Sequence, residues 1–219
     1  MRHTTILVLL VLLAAAGSTE AAEVTLDADR DATLYDHPAG ELANGVGEYL
    51  FTGYGNAPKR ALLSFDLSSI PAGSTITSVE LTLTMSMTIA AGQTNSLYRV
   101  ESSWTEGPSD AAGPEGMGIT SETGDATWIH TSYPTTFWAS PGGDFAAMPS
   151  AQALIISNGD YTFGSTPEMV ADVEGWFTDP TSNHGWVILG PESPLFRSAK
   201  RFNSREHSNP ATRPRLRIV

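Results

Sequence analysis

From Val79 to Met87 the chain alternates without a break, Val79, Leu81, Leu83, Met85 and Met87 against Glu80, Thr82, Thr84 and Ser86. A period of two sends successive side chains to opposite faces, so this run is a strand with one face in a core and one in water. The chain is thereby committed to a sheet with something packed against it. Just before the run, Pro71 sets φ and Gly73 permits a positive one, which makes 69–73 a turn. Further strands are expected at 24–29, 32–36, 48–54, 60–67, 96–100, 185–190, 200–204 and 215–219. Asn158-Gly159 is a two-residue turn signal, and it predicts a hairpin between 152–157 and 160–163.

Only one segment has a helical period. Thr166 suits an N-cap, Pro167 the first helical position and Glu168 the positive end of the dipole. Met169, Val170, Val173, Trp176 and Phe177 then form one apolar stripe, and Asp179-Pro180 closes the helix. About ten strands, one helix and frequent Gly and Pro turns predict an all-β fold, an antiparallel β-sandwich of jelly-roll type with one short α-helix. The stretch 106–150 is irregular, rich in Gly, Pro, Ser and Thr, yet it holds Trp128, Tyr133, Phe137, Trp138 and Phe145. So long a structureless segment is unusual in a compact domain, so a strand is expected near 126–131.

Arg2 and His3 precede an apolar run at 6–16, and small residues lead on to Ala21 and Ala22. Eleven apolar residues are too few for a membrane span, which needs roughly 20, but they suit a signal peptide. Residues 1–22 are therefore read as a leader cleaved near Ala21 or Ala22, and 23–219 as a single secreted domain, extracellular or periplasmic. No later run is apolar enough to imply membrane insertion. The chain has no cysteine, so its core must form without disulfides and thiol chemistry is excluded.

A net charge of −12 argues against a nucleic-acid partner. Yet Arg197, Lys200, Arg201, Arg205, Arg213, Arg215 and Arg217 face a single acid, Glu206, within 197–219, a net +6 against −18 for the rest. Two readings follow. Either basic strands lie beside acidic ones and neutralise them, or the arginines form an anion-binding surface. Arg213, Arg215 and Arg217 are spaced by two and would share the outward face of a terminal strand, with Lys200, Arg201 and Arg205 extending the patch.

No nucleophile elbow, zinc-protease helix, phosphate loop or dinucleotide loop occurs. After the leader only His37, His130, His184 and His207 remain, none at metal-ligand spacing. Paired-carboxylate catalysis stays open, since distant acids can meet in space. Asp27, Asp29 and Asp31 alternate, and if they faced one way a structural Ca²⁺ would relieve their repulsion; the other reading is a solvated edge, and no further cofactor is indicated. Of the tryptophans, Trp176 and Trp186 read as core. Trp138 and Tyr133, amid polar residues, either form a platform on which sugar rings stack or fasten the long segment to the sandwich.

Four motifs occur in order: RALLSFDLSSIPAGSTI (60–76), YRVESSWTEG (98–107), the helix at 169–177, and KRFNSRE (200–206) with its PRL ending (214–216). Together they resemble the bacterial DNRLRE-domain family, also classed as carbohydrate-binding module family ninety-six, over nearly the whole mature chain. The resemblance implies a jelly-roll-like sandwich in a secreted protein, and some members bind alginate-type acidic polysaccharides. The expected function is a non-catalytic carbohydrate-binding module, with anionic polysaccharide as one candidate partner. The alternatives are a structural or adhesive protein–protein interaction domain and a polysaccharide-active enzyme.

Overall fold

The computed structural model describes residues 22–219, so all but the last residue of the leader read at 1–22 lies outside the described residues. The chain opens with β1 (Val24–Asp27), β2 (Arg30–Tyr35), a short β3 (Leu42–Ala43), β4 (Tyr49–Tyr54) and β5 (Pro58–Ser64). The alternating run is β6 (Val79–Thr88), and β7 (Gln93–Arg99) follows it. Three short strands, β8 (Ile119–Thr120), β9 (His130–Ser132) and β10 (Thr136–Phe137), lie in the irregular stretch. Next come β11 (Ala151–Ile155), β12 (Gly159–Gly164) and the helix α1 (Pro167–Thr178). The described chain ends with β13 (Trp186–Leu189), β14 (Lys200–Asn203) and β15 (Arg215–Ile218).

The fold is an all-β sandwich. One antiparallel sheet runs β1-β15-β6-β14-β4-β5-β13-β7-β11, with β12 on the free edge of β6 and β2 on that of β5. It curls at the β4–β5 hairpin, so the β6 half faces the β5–β13–β7 half. The alternation at 79–85 does what its period demands, with Val79, Leu81, Leu83 and Met85 buried. They meet Phe163, Phe202 and Leu216 of their own layer and Leu63, Leu97, Trp186 and Ile188 of the other.

The helix closes the core with Met169, Val173 and Trp176, and Trp176 lies edge-on to Trp186 at 4.5 Å. Thr166 caps it by accepting from the Met169 N–H at 3.1 Å. Asp172 pins it to the sheet, accepting from Trp186 Nε1 at 2.8 Å and Ser150 Oγ at 2.5 Å and lying 3.3 Å from Arg99.

A second apolar cluster lies on the outer face of the β2–β5–β13 layer. Ala32, Leu34, Leu62 and Val187 point there, opposite in pleat to Leu63 and Trp186, and Trp104, Ala126, Trp128 and Trp138 cover them. Arg60 of β5 holds this cover down. Its guanidinium sits 4.6 Å from the Trp128 ring, pairs with both oxygens of Glu192 at 2.8 Å and donates to the Gly142 carbonyl. The stretch 106–150 is thus a wall rather than a loop, its regular parts being β8, β9 and β10, of which β9 (His130–Ser132) overlaps only the end of the strand expected near 126–131.

The predicted hairpin at Asn158-Gly159 does not form. β11 pairs with β7 and β12 with β6, so the chain crosses between layers there. The Tyr161 hydroxyl takes the place of ladder bonds, accepting from the Ile156 and Ser157 N–H groups and donating to the Ser157 carbonyl.

Candidate ligand cleft and acidic cluster

The start of β2 organises both features of interest. At Ala28 the chain leaves β1 in one layer and enters β2 in the other, so Asp27, Asp29 and Asp31 do not share a strand face. Asp27 and Asp29 are exposed, whereas Asp31 is 1% exposed. The calcium reading on that triplet is therefore corrected. Two successive residues of β2 then turn opposite ways.

Arg30 faces a cleft of about 600 Å³ between the C-terminal end of α1 and the 65–73 turn. The Arg30 guanidinium lies 4.7 Å from the Trp104 ring and donates to the Trp104 carbonyl at 2.5 Å. Around the cleft stand Phe65, Trp176 and Phe177 as apolar surface, with Asp29, Asp66 and Asn183 as polar groups. Asp66 accepts from the Ser68 N–H and hydroxyl, which hold its carboxyl below the usual range. Among the described residues, three of these keep a buried polar atom without a hydrogen-bond partner, Arg30 Nε (3.9 Å from the Asp29 carboxylate), Trp176 Nε1 and Asn183 Oδ1.

Asp31 points the other way, towards Glu106 and Glu206. One carboxylate oxygen from each lies within 4.8 Å of the others. The segment after Trp104 brings Glu106, which accepts from the Asp31 N–H at 2.7 Å. The turn after β14 brings Arg205 and Glu206. The Arg205 N–H donates to Asp31 Oδ2 at 2.8 Å, and its guanidinium reaches Glu106 at 3.0 Å and Glu206 at 2.6 Å. One cation thus faces three acids. Asp31 Oδ1 and Glu206 Oε2 are buried with no partner. Burial first, then the neighbouring acids, pushes the Asp31 carboxyl well up and that of Glu206 up to about 7.

The remaining basic residues are mostly engaged. Lys200 is 1% exposed, its ammonium donating to Thr88 Oγ1 and the Ala90 and Ala91 carbonyls, and burial pulls its pKa down. Arg201 lies 3.8 Å over the Tyr49 ring and donates to Ser86 Oγ. Arg217 is clamped between Glu23 and Glu80 at 2.7 and 3.2 Å. Arg213 and Arg215 do project outward while Pro214, Leu216 and Ile218 are buried, but Arg213 donates to the His207 carbonyl and Arg215 stands opposite Asp27. β15 and β14 lie end to end along one edge of β6, at Val79–Thr82 and Met85–Thr88, so the two basic strands do not stand side by side. Lys200 and Arg205 are thereby removed from any exposed basic patch, and the charge asymmetry is largely neutralised within the molecule.

Trp138 is also corrected. It is 5% exposed and donates from Nε1 to the Thr127 carbonyl at 2.9 Å, so it fastens the wall. The exposed ring is its neighbour Phe137, beside His130 and the half-buried Tyr133.

Sequence reasoning passed over Glu106 and the cleft residues. Glu106 and Glu206 carry a faint signal, each lying within a stretch on which the family resemblance rests, Trp-Thr-Glu and Ser-Arg-Glu. Asn183 and Phe177 carry none, because a cleft made by a helix end and a distant turn leaves no local pattern. No protein-family model matches the chain, and no curated protein is significantly similar to it.

Proposed function

We propose that this protein is a secreted, non-catalytic carbohydrate-binding module of the DNRLRE type, and that the cleft between α1 and the 65–73 turn receives a sugar residue. The observation that carries the reading is the composition of that cleft. Half-buried Phe177 offers apolar surface to the C–H face of a sugar ring over a floor of Phe65 and Trp176, while Asp29, Asp66 and Arg30 supply acceptors and donors for its hydroxyls. Its volume of about 600 Å³ lies within the range of small-molecule sites. With two carboxylates at one guanidinium and most other arginines engaged, the cleft favours an uncharged sugar over a uronate.

The carboxylate pair Glu106 and Glu206 is close enough for retaining glycoside chemistry, where about 5–5.5 Å is usual. Both, however, are held by Arg205, and neither lines the cleft. A docking role for protein partners has one observation in its favour, the exposed Met87, Ile89 and Met117 around a hollow of about 300 Å³.

Titration calorimetry against neutral and uronate oligosaccharides tests the reading. Saturable binding of a neutral sugar is expected, weakened at least tenfold by Phe177→Ala with Asp66→Ala in a folded variant. Binding untouched by that pair of changes, or none to any sugar at millimolar concentration, would reject the cleft. Tighter binding of alginate that Arg213→Glu with Arg215→Glu abolishes would move the site to β15.

A further inference from the structure

We infer that Asp31, Glu106 and Glu206 form a binding site for one divalent cation of the calcium class. Three carboxylates converge within 4.8 Å, and a single guanidinium faces them. Fully ionised, as a bound cation would hold them, the three acids exceed the guanidinium by two negative charges, which one M²⁺ would match. The geometry of the leftover atoms is the independent reason. Asp31 is 1% exposed, its Oδ2 is satisfied by the Arg205 N–H, and its Oδ1 has nothing to accept from. Glu206 Oε1 is taken by Arg205 and its Oε2 is likewise sealed without a partner. A buried carboxylate oxygen with no donor is costly, and most buried polar atoms in folded proteins do find one. Here two such orphans belong to the same group of acids.

Donor chemistry selects the ion. Every ligand is a hard oxygen, and the group contains no imidazole or thiolate, which disfavours zinc and copper. Calcium accepts irregular geometry and completes its shell with water, as three carboxylates around an arginine require; magnesium demands a near-ideal octahedron. The site would tie together segments far apart in the chain, the entry to β2, the approach to the wall after Trp104 and the turn after β14. It lies one residue from Arg30, so a bound ion would also steady the cleft edge.

The test is calorimetric and thermal. Protein stripped with chelator and returned to chelator-free buffer is titrated with CaCl₂ and, separately, MgCl₂. One calcium per chain is expected, bound at least tenfold tighter than magnesium, with a melting temperature raised by about 5–10 °C at calcium a hundred times its Kd. Glu206→Gln should abolish both effects in a folded protein. Glu174→Gln, at an exposed helix residue outside both the group and the cleft, should leave them intact. Should Asp31→Asn fail to fold, Glu206→Gln and Glu106→Gln still decide the matter. No calcium binding by folded, stripped protein would overturn the inference, and so would binding that survives Glu206→Gln. Sugar binding measured in parallel keeps the two proposals separate, since loss of one need not carry the other.

Discussion

At the scale of single residues, neighbours in sequence take opposite roles. Trp138 is buried with its indole N–H satisfied, while Phe137 is 59% exposed. Trp138→Ala empties part of the second cluster and should cost about 3–5 kcal/mol, as large-to-small core changes do. Phe137→Ala should cost less than about 1 kcal/mol. Urea unfolding of both variants checks this, and equal losses would mean that the wall is not packed as described. Arg30 and Asp31 divide in the same way, one to the cleft and one to the acids, because the pleat leaves adjacent side chains no common face.

At the scale of elements, local pattern was legible and pairing was not. The helix could be read from Thr166, Pro167 and its stripe because capping and period are local. β6 was equally plain. β13 is apolar at every position, and the reason emerges only in three dimensions: Trp186 and Ile188 serve one cluster and Val187 the other. Asn158-Gly159 suggests a hairpin, but the strands around it find their partners elsewhere, β11 in β7 and β12 in β6. The acids of the cluster come from positions 31, 106 and 206, a separation that no spacing rule detects. Entry to β13 depends on Gly185, whose φ of +72° is left-handed; a Cβ there would lie 1.9 Å from the Leu63 carbonyl oxygen. Gly185→Ala should therefore lower stability by more than about 2 kcal/mol. A melting temperature within about 2 °C of the parent would contradict that close approach.

At the scale of the whole molecule, buried acids make the protein unusual in its response to pH. Burial raises the carboxyl pKa values of Glu115, Asp125 and Asp172 above their ordinary 4.5, 3.8 and 3.8. The folded state then holds those protons more tightly than the unfolded chain. Stability accordingly rises as pH falls through the folded values and levels off below the unfolded ones. The exposed Glu23, Glu48 and Asp66 have lowered values and act in the opposite sense, their contribution vanishing in stronger acid. Relief of self-repulsion at a net −12 adds to the first trend. The urea midpoint should thus rise as pH falls through the folded values of these carboxyls, offset in part by His130 and His184, whose pKa burial lowers, and fall again below about pH 3.5; a midpoint that declines steadily from pH 8 would refute the assignment. The pairing of β1 with β15, Val24 opposite Ile218, carries a further consequence. A chain leaving a ribosome from its N-terminus cannot seat β1 until Leu216 and Ile218 have emerged. Trp104, Trp128 and Trp138 likewise wait for Val187, which is made after them. Closure of this fold follows synthesis of β15 rather than accompanying that of β1.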